Sequence, residues 1–260
     1  MTGVLPVTLG DATKVVQALL YSGKEYVCVM KLHGDIKIEQ IKKVLGEFQD
    51  TIYQRPPLRA SVKRQLRTRR IYYLDLLEED GRKVLFRVGC EAGTYVRKLC
   101  YDIGEVLGVG AHMQELRRTR AGPFVEAGST TLHDVAYSFM RWQEEKDEKL
   151  LKQFILPMER ALGLLPKIYV RDSAVDALCH GATLTAPGVV SLDSTVKAGS
   201  MAAILTLKHE GVALCKAVVG ADQILSMEHG AVSKTERVLM TRGTYPKLWK
   251  GGSKSHEQEK

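Results

Sequence analysis

The stretch IYYLDLLEEDGRKVLFRV, residues 71–88, contains two runs of strand-forming residues separated by a turn signal. The first run is IYYLDLL at 71–77, and the second is KVLFRV at 83–88. Between them, the pair Asp80-Gly81 suits the positive φ angles of a tight hairpin turn. A hairpin makes its two strands antiparallel, whereas the strands of a doubly wound sheet are parallel. This stretch therefore favours a mixed sheet over a parallel one.

Strand and helix patterns alternate on both sides of this hairpin. Residues 26–32, YVCVMKL, form a short apolar run that is typical of a strand covered on both faces. Apolar residues at helical spacing predict one helix before the hairpin and a second helix between Gly93 and Gly108. The apolar stripe of the first is Ile41, Val44, Leu45 and Phe48, and that of the second is Leu99, Ile103, Val106 and Leu107. The predicted fold class is α+β with a mixed sheet.

A second domain is indicated beyond residue 166, where Gly and Pro separate short elements. Asp172, as N-cap, and Gly181 bracket a short predicted helix at 172–180. MAAILTL at 201–207 and VALCKAVV at 212–219 predict a hairpin of a small β-barrel. The predicted organisation is a first domain at 1–165, a barrel domain at 166–248 and a disordered polar tail at 249–260.

The composition excludes several classes of protein. The five cysteines are scattered and form no C-x-x-C pair, which disfavours a zinc site and a disulfide framework. The sequence contains no run of about 18 apolar residues and no leader-type N-terminus. We therefore expect a cytoplasmic protein without a membrane partner. Its formal net charge of +8 is compatible with phosphate backbones but also with anionic membranes, so the total charge decides little.

The distribution of the charge is more informative than its total. Residues 55–70, RPPLRASVKRQLRTRR, hold seven basic side chains and no acidic one. A solvated charged face usually mixes both signs, so this segment favours contact with nucleic acid. The candidate RNA-binding residues are Arg55, Arg59, Lys63, Arg64, Arg67, Arg69 and Arg70.

Several motifs resemble one enzyme family in order and spacing. They are TGVLPV at 2–7, KEYVCVMKLHG at 24–34, GTYVRKL at 93–99, LRRTRAGPF at 116–124 and IYQRPPLRASVKR at 52–64. The first four are similar to the TruB family of pseudouridine synthases, and the last resembles the branch that contains dyskerin. The resemblance implies that a uridine is flipped out of RNA, that an aspartate attacks it, and that the base rejoins the sugar through carbon. It implies no metal or organic cofactor.

The resemblance also implies roles for four residues. Tyr26 corresponds to the tyrosine that stacks on the target base, and Arg97 to the arginine that pairs with the catalytic aspartate. Tyr95 and Leu116 would line the uracil pocket. From the residues alone, a tyrosine within an apolar strand such as Tyr26 is more typical of a protein core than of a site, and Leu116 is typical of a core leucine. A cation at a helix start is unfavourable, which supports a functional reason for Arg97.

The nucleophile itself is the point at which the sequence departs from the family. In the family, TGVLPV follows a glycine-rich turn and an L-D-P-x-V motif whose aspartate is the nucleophile, and Met1 stands where that valine is expected. Asp11 follows TLG and is interpreted as a helix N-cap, not as a substitute. A misassigned start codon, a separately encoded N-terminal part and loss of catalysis are the three explanations. We expect these 260 residues alone to be inactive.

Two further hypotheses compete with the enzyme. As an enzyme of this family, the chain would modify rRNA with a guide RNA, and tRNA at uridine 55 without one. Its partners would be an H/ACA guide RNA and three small proteins of the particle, and residues 167–245 would be a PUA domain that holds the ACA end of the guide. One alternative is a PUA-containing RNA scaffold without chemistry, or one half of a split enzyme, and the other is a basic ribosome-associated protein.

Overall fold

The computed structural model describes residues 1–57 and 63–248. The helices are α1 (Val16–Tyr21), α2 (Ile38–Glu47), α3 (Val96–Val106), α4 (Leu132–Glu145), α5 (Lys149–Phe154), α6 (Asp172–Cys179) and α7 (Ala221–Ser226). The strands are β1 (Thr2–Gly3), β2 (Lys24–Leu32), β3 (Thr51–Gln54), β4 (Arg67–Asp80), β5 (Lys83–Cys90), β6 (Ala111–Ala121), β7 (Phe124–Val125), β8 (Lys167–Val170), β9 (Leu184–Thr185), β10 (Val189–Leu192), β11 (Met201–Thr206), β12 (Gly211–Ala217) and β13 (Ala231–Val238). The tail predicted at 249–260 lies outside the described residues.

The chain forms two compact units. The first contains Met1–Val7 and Gln17–Leu156, and the second contains Thr8–Val16 together with the described residues from Pro157 onward. Within the residues that the structure describes, no helix has the length and apolar character needed to cross a lipid bilayer.

The first unit is built on a mixed sheet with the strand order β1-β6-β2-β5-β4-β3, and β7 pairs with β6. β1 is parallel to β6, and the other pairs are antiparallel. The α+β class is therefore confirmed, as is the β4–β5 hairpin. Asp80 pairs with Lys83, so the two turn residues are Gly81 and Arg82, one position later than predicted. Gly81 takes the positive φ of 57° that the turn requires.

Helices α2 and α3 cover one face of this sheet with the predicted apolar stripes. Ile41, Leu45, Leu99 and Ile103 are almost fully buried, and each contributes about 1.5–3 kcal/mol relative to an exposed side chain. Val106 is an exception, because it is 56% exposed. It lines an open surface cavity of about 340 Å³ with Phe48, Ile52 and Tyr53. The prediction that Val106 belongs to the buried stripe was wrong, because this last residue of α3 faces the open cavity.

Two contacts fix the direction of α3 along β2. The Cys100 Sγ atom of α3 lies 3.6 Å from the Cys28 Sγ atom of β2. Near the end of α3, Gly104 approaches the backbone of Ala111, where a Cβ would lie 2.1 Å from the Ala111 nitrogen, and Ala111 pairs with Leu32. The helix therefore runs in the same direction as β2. Its first turn lies toward the Lys24 end of that strand.

The second unit contains a six-stranded sheet with the order β10-β8-β11-β12-β13-β9. The predicted barrel hairpin is confirmed, because β11 and β12 pair antiparallel from Met201–Lys216 to Leu205–Gly211. Helix α6 is present and Gly181 follows it with φ of 85°. Its N-cap residue is Arg171, so the prediction of Asp172 as the cap was wrong by one residue.

A short 3₁₀ helix, Gly10–Val15, belongs to the second unit. The N-cap position is Leu9, so the interpretation of Asp11 as an N-cap was wrong. Asp11 instead forms an exposed ion pair with Lys14 at 3.2 Å. Val15 is almost fully buried, and the Lys14 Nζ atom lies 3.5 Å from the Leu239 carbonyl oxygen. The buried Val15 anchors this segment.

Candidate active site

Tyr26 and Leu116 lie on the sheet face that α3 covers. Side chains alternate along β2, so Tyr26 shares a face with Cys28 and Met30, which are fully buried. Tyr26 is partly buried and packs against the same core. Leu116 is the β6 partner of Cys28 and is 8% exposed. Tyr26 and Leu116 are therefore close neighbours on adjacent strands.

The first turn of α3 brings Arg97 to the same end of the sheet. Arg97 is three residues before Cys100, about 4.5 Å along the helix, and Tyr26 is two residues before Cys28, about 6.8 Å along the strand. Because Cys28 and Cys100 are in contact, Tyr26 and Arg97 lie at similar positions along the strand direction. Helical side chains lean toward the N-terminus, which directs Arg97 further toward Tyr26. Arg97 therefore lies toward the same end of the sheet as Tyr26.

Arg97 is exposed, and α3 has no acidic residue in its first turn. None of the ion pairs in the described part of the chain involves its guanidinium. A planar fork of donors at a helix start is suited to an added carboxylate, which the helix dipole also favours.

Tyr95 occupies the N-cap position of α3, and its backbone is held by a buried amide. Its N–H donates to Gln54 Oε1 at 2.9 Å, and Gln54 Nε2 donates to its carbonyl oxygen at 3.2 Å. Gln54 is only 2% exposed, so both of its amide atoms are committed to this turn. The end of β3 therefore fixes the backbone that leads into Arg97.

Arg118 joins the chain start to the same site. Its Nε–H donates to the Val4 carbonyl oxygen at 2.6 Å, and the Val4 N–H donates to the Arg118 carbonyl oxygen at 2.8 Å. Gly3 lies so close that a Cβ would be 2.1 Å from that carbonyl oxygen, and its φ is 99°. Only glycine fits this approach. The TGV segment is thereby fixed against β6.

Burial dominates the electrostatics of Tyr26. It raises the pKa of the phenol, the neighbouring Cys90 thiol raises it further, and the Arg118 guanidinium partly offsets both effects. Burial also raises the pKa of the Cys90 thiol to about 11. Tyr26 and Cys90 are therefore neutral at physiological pH, and the charge that acts on the Tyr26 hydroxyl is the Arg118 guanidinium. Such a site attracts a carboxylate or a phosphate.

The described residues contain no cluster of three or more His, Cys, Asp or Glu side chains with the geometry of a metal site.

Some side chains of the basic segment at 55–70 are exposed, and others contact neighbouring groups of the protein. Arg55, Lys63, Arg64 and Arg70 are exposed, and Arg59 lies outside the described residues. Arg67 donates to the Lys63 carbonyl oxygen at 3.3 Å. The Arg69 side chain is 19% exposed, lies 3.9 Å from a Glu91 carboxylate oxygen and covers Gly93. Arg69 therefore packs against the turn before α3, unlike the exposed members of the segment.

Sequence reasoning did not single out Arg118 or Gln54. Arg118 lies within LRRTRAGPF, but the sequence does not show that it pairs with Tyr26 or reaches the Val4 carbonyl. Gln54 precedes a Pro-rich loop, and nothing in the sequence distinguishes it from a loop residue. Both act through backbone groups that are distant in sequence.

Family comparisons cover nearly the whole chain. Residues 1–96 match the N-terminal domain of TruB family pseudouridylate synthase, residues 97–163 match the C-terminal domain of tRNA pseudouridylate synthase B, and residues 166–239 match a PUA domain. The "Probable tRNA pseudouridine synthase B" of Methanopyrus kandleri is 55% identical over 96% of this chain and 74% of its own length. That of Archaeoglobus fulgidus is 54% identical over 97% of this chain and 78% of its own length.

Solved structures are similar over the same extent. A chain in the crystal structure of a Cbf5-Nop10-Gar1 complex has a TM-score of 0.92 and 53% identity, covering 95% of this chain and 75% of that one. A chain in the structure of an H/ACA RNP bound to a substrate RNA containing 2'-deoxyuridine has a TM-score of 0.88 and 50% identity, with coverage of 95% and 75%.

Proposed function

The chain belongs to the TruB family of pseudouridine synthases, and from this premise we propose that it isomerises uridine to pseudouridine at the site around Tyr26 and Arg97. One observation carries the proposal: an aromatic side chain, an apolar side chain and an arginine with no acidic partner among the described residues lie toward one end of the sheet. Tyr26 stacks on the flipped base, and Leu116 with Tyr95 lines the uracil pocket.

Arg97 pairs with the nucleophilic carboxylate and holds it ionised. We propose that this carboxylate is the aspartate of the family motif L-D-P-x-V, which is not among the 260 residues. That motif directly precedes TGVLPV in the family, and the Val4–Arg118 hydrogen bonds hold TGV beside Tyr26. The geometry supports delivery of the aspartate to the space between Tyr26 and Arg97. The attack breaks the glycosidic bond, and the base rejoins through carbon.

We propose guided rRNA and tRNA uridine 55 as substrates. The similar H/ACA particle with bound RNA and the tRNA enzymes among the relatives support these two classes. The partners are an H/ACA guide RNA, held in part by the PUA domain, and small protein subunits such as those of the Cbf5-Nop10-Gar1 complex. Base pairing with the guide selects the uridine, whereas phosphate contacts position the RNA. We propose that the two domains predicted at 1–165 and 166–248 divide these tasks.

The first test concerns Tyr26, in a polypeptide that carries the L-D-P-x-V segment before Thr2. We expect Tyr26→Phe to retain most of the single-turnover rate, because the stacking face remains, and Tyr26→Ala to lose about 10- to 100-fold, since stacking contributes about 1–3 kcal/mol per base. Pseudouridine is quantified by mass spectrometry of digested RNA. Tyr137→Ala, at a half-exposed tyrosine of α4, is the surface control. Equal rates for the Phe and Ala variants would contradict the stacking role.

The second test concerns the exposed basic side chains. Replacing Arg55, Lys63 and Arg64 by Gln should weaken RNA binding for all sequences and reduce the slope of log K against log salt by about 0.7–0.9 per lost phosphate contact. Replacing Lys31, Lys42 and Lys43, which are also exposed, removes the same charge elsewhere in the first unit. Affinity is measured by fluorescence anisotropy at several salt concentrations. Equal slopes for both triple variants would mean that only total charge matters.

A further inference from the structure

A polar network occupies the sheet face opposite Tyr26. The Glu25 carboxylate accepts hydrogen bonds from the Tyr73 hydroxyl at 2.5 Å and from the Thr119 hydroxyl at 2.7 Å. Arg120 donates to the Tyr73 oxygen at 2.9 Å. Three strands, β4, β2 and β6, are thus connected through one carboxylate directly behind the candidate site.

This carboxylate sits at an irregularity in the sheet. Glu25 pairs with Arg120 and Tyr26 pairs with Arg118, so Thr119 is an extra residue in β6. An extra residue of this kind is a β-bulge, which re-aims the side chains on either side of it. Thr119 and Arg120 both reach the Glu25 face, and Arg118 reaches the Val4 carbonyl on the Tyr26 face. Without the bulge, strand alternation would not give this arrangement.

The surrounding structure is shaped to accept the network. The Tyr73 ring lies against Gly89, where a Cβ would be 2.2 Å from the ring. Glycine at this position of β5 therefore lets the Tyr73 hydroxyl reach across to Glu25. Arg87 stands over the same ring at 5.8 Å and is held by Asp75 at 2.8 Å.

The charges of the network favour an ionised Glu25. Burial alone would raise the pKa of this carboxyl, but hydrogen bonds from Tyr73 and Thr119 and the positive charges of Arg120 and Arg87 together lower it below its usual range. An ionised acceptor forms stronger hydrogen bonds than a neutral one. Glu25 is therefore a strong hydrogen-bond acceptor for the Thr119 hydroxyl.

We propose that Glu25 is a positioning residue for the reaction: through the Thr119 bulge it holds Arg118 on the substrate face, where Arg118 fixes both the surroundings of Tyr26 and the TGV segment. The inference rests on the proposed function, because the importance of that face depends on the uridine site. Glu25 touches neither the base nor the proposed nucleophile. Its hydrogen bond to Thr119 keeps the β-bulge in place and so prevents β6 from shifting its pairing with β2.

The test of this role begins with Glu25→Gln in the polypeptide that carries the L-D-P-x-V segment. A displacement of about 1 Å far from the chemistry can lower a rate about 100-fold, so we expect a loss of that order in the single-turnover rate. RNA affinity should stay within about twofold of the wild type, because phosphate contacts are untouched. Glu115→Gln is the matched control, since Glu115 is an exposed carboxylate on the same strand face, opposite Val29. It should leave the rate unchanged.

Thr119 variants separate positioning from general stability. Thr119→Ser keeps the hydroxyl and should retain the rate, whereas Thr119→Val should reproduce the loss in Glu25→Gln. Because the two residues act as one unit, the double variant Glu25→Gln with Thr119→Val should lose no more than either single variant. The proposal would be overturned if the loss of rate in the double variant equalled the product of the two single losses. A normal rate in Glu25→Gln would also overturn it. A rate that falls equally in Thr119→Ser and Thr119→Val would also overturn it.

A measurement without catalysis separates this inference from the proposed function. In NMR spectra of the 260-residue chain, the Arg118 Nε–H that bonds to Val4 should exchange slowly in wild type and in Glu115→Gln, and rapidly in Glu25→Gln. Slow exchange in Glu25→Gln would refute the role of Glu25, whatever the activity. Absence of pseudouridine from the longer wild-type protein, with the expected exchange pattern, would instead refute the proposed function.

Discussion

A polypeptide of these 260 residues alone is expected to form no detectable pseudouridine in any RNA. The proposed reaction needs a carboxylate between Tyr26 and Arg97, and the acidic residues beside Tyr26 and Cys90 in the described chain are engaged elsewhere. Glu25 lies on the opposite sheet face and accepts hydrogen bonds from Tyr73 and Thr119. Glu91 accepts a hydrogen bond from the Arg70 N–H at 3.1 Å and lies beside Arg69. Tyrosine and arginine can stack and orient, but neither replaces the nucleophile.

The measurement compares three polypeptides with the same RNA and the same protein partners. The 260-residue chain should be inactive, the chain extended by a glycine-rich turn and L-D-P-x-V should be active, and the extended chain with Asn in place of that aspartate should be inactive again. Circular dichroism and RNA affinity should be equal for the last two, which shows that chemistry alone was lost. Pseudouridine produced by the 260-residue chain would refute the assignment of the nucleophile.

Local sequence patterns predicted the strands and helices of the first unit because each of these elements is determined by residues close together in sequence. The β4–β5 hairpin depends on two apolar runs and one glycine at positive φ, and α2 depends on a stripe that the sheet buries. Both signals survive in the folded protein because tertiary packing uses the same faces that the sequence marks as apolar.

Features set by contacts distant in sequence were missed or wrong. Val106 continues the apolar stripe of α3, but it borders an open cavity and remains exposed. Arg69 belongs to a basic run, yet it packs over Gly93. The bulge at Thr119 has no local marker, because only the pairing with β2 reveals the extra residue. The spacing of apolar residues predicts which face of a segment can be buried, but it does not show which other element packs against that face.

Some residues of the candidate site were predictable from the sequence, whereas their arrangement was not. The family motifs named Tyr26, Arg97, Tyr95 and Leu116, and the structure adds their arrangement: neighbouring strands for Tyr26 and Leu116, and a helix start fixed by Gln54 for Tyr95 and Arg97. Arg118 and Gln54 stayed hidden because their partners are backbone atoms of Val4 and Tyr95, which carry no side-chain signature.

Replacing Arg97 by Ala in the extended polypeptide should lower the single-turnover rate by about 100- to 1,000-fold, the usual loss when one preorganised electrostatic partner is removed. Arg97 is exposed at the start of α3, so the substitution removes no core packing. Affinity for guide and substrate RNA should remain nearly unchanged, because the interaction is made with the nucleophile. A loss in rate without a loss in binding identifies a group that acts in the chemical step.

Arg97→Lys distinguishes charge from geometry. Lysine keeps the positive charge but loses the planar fork that holds a carboxylate through two hydrogen bonds, so it should restore only a small part of the rate. Lys98→Ala is the matched control, because Lys98 is the next residue of the same helix turn and pairs with Asp102 instead. Rates are measured by rapid quench with enzyme in excess, and RNA affinity is measured separately. A normal single-turnover rate in Arg97→Ala would remove Arg97 from the site, and full activity in Arg97→Lys would show that charge alone suffices.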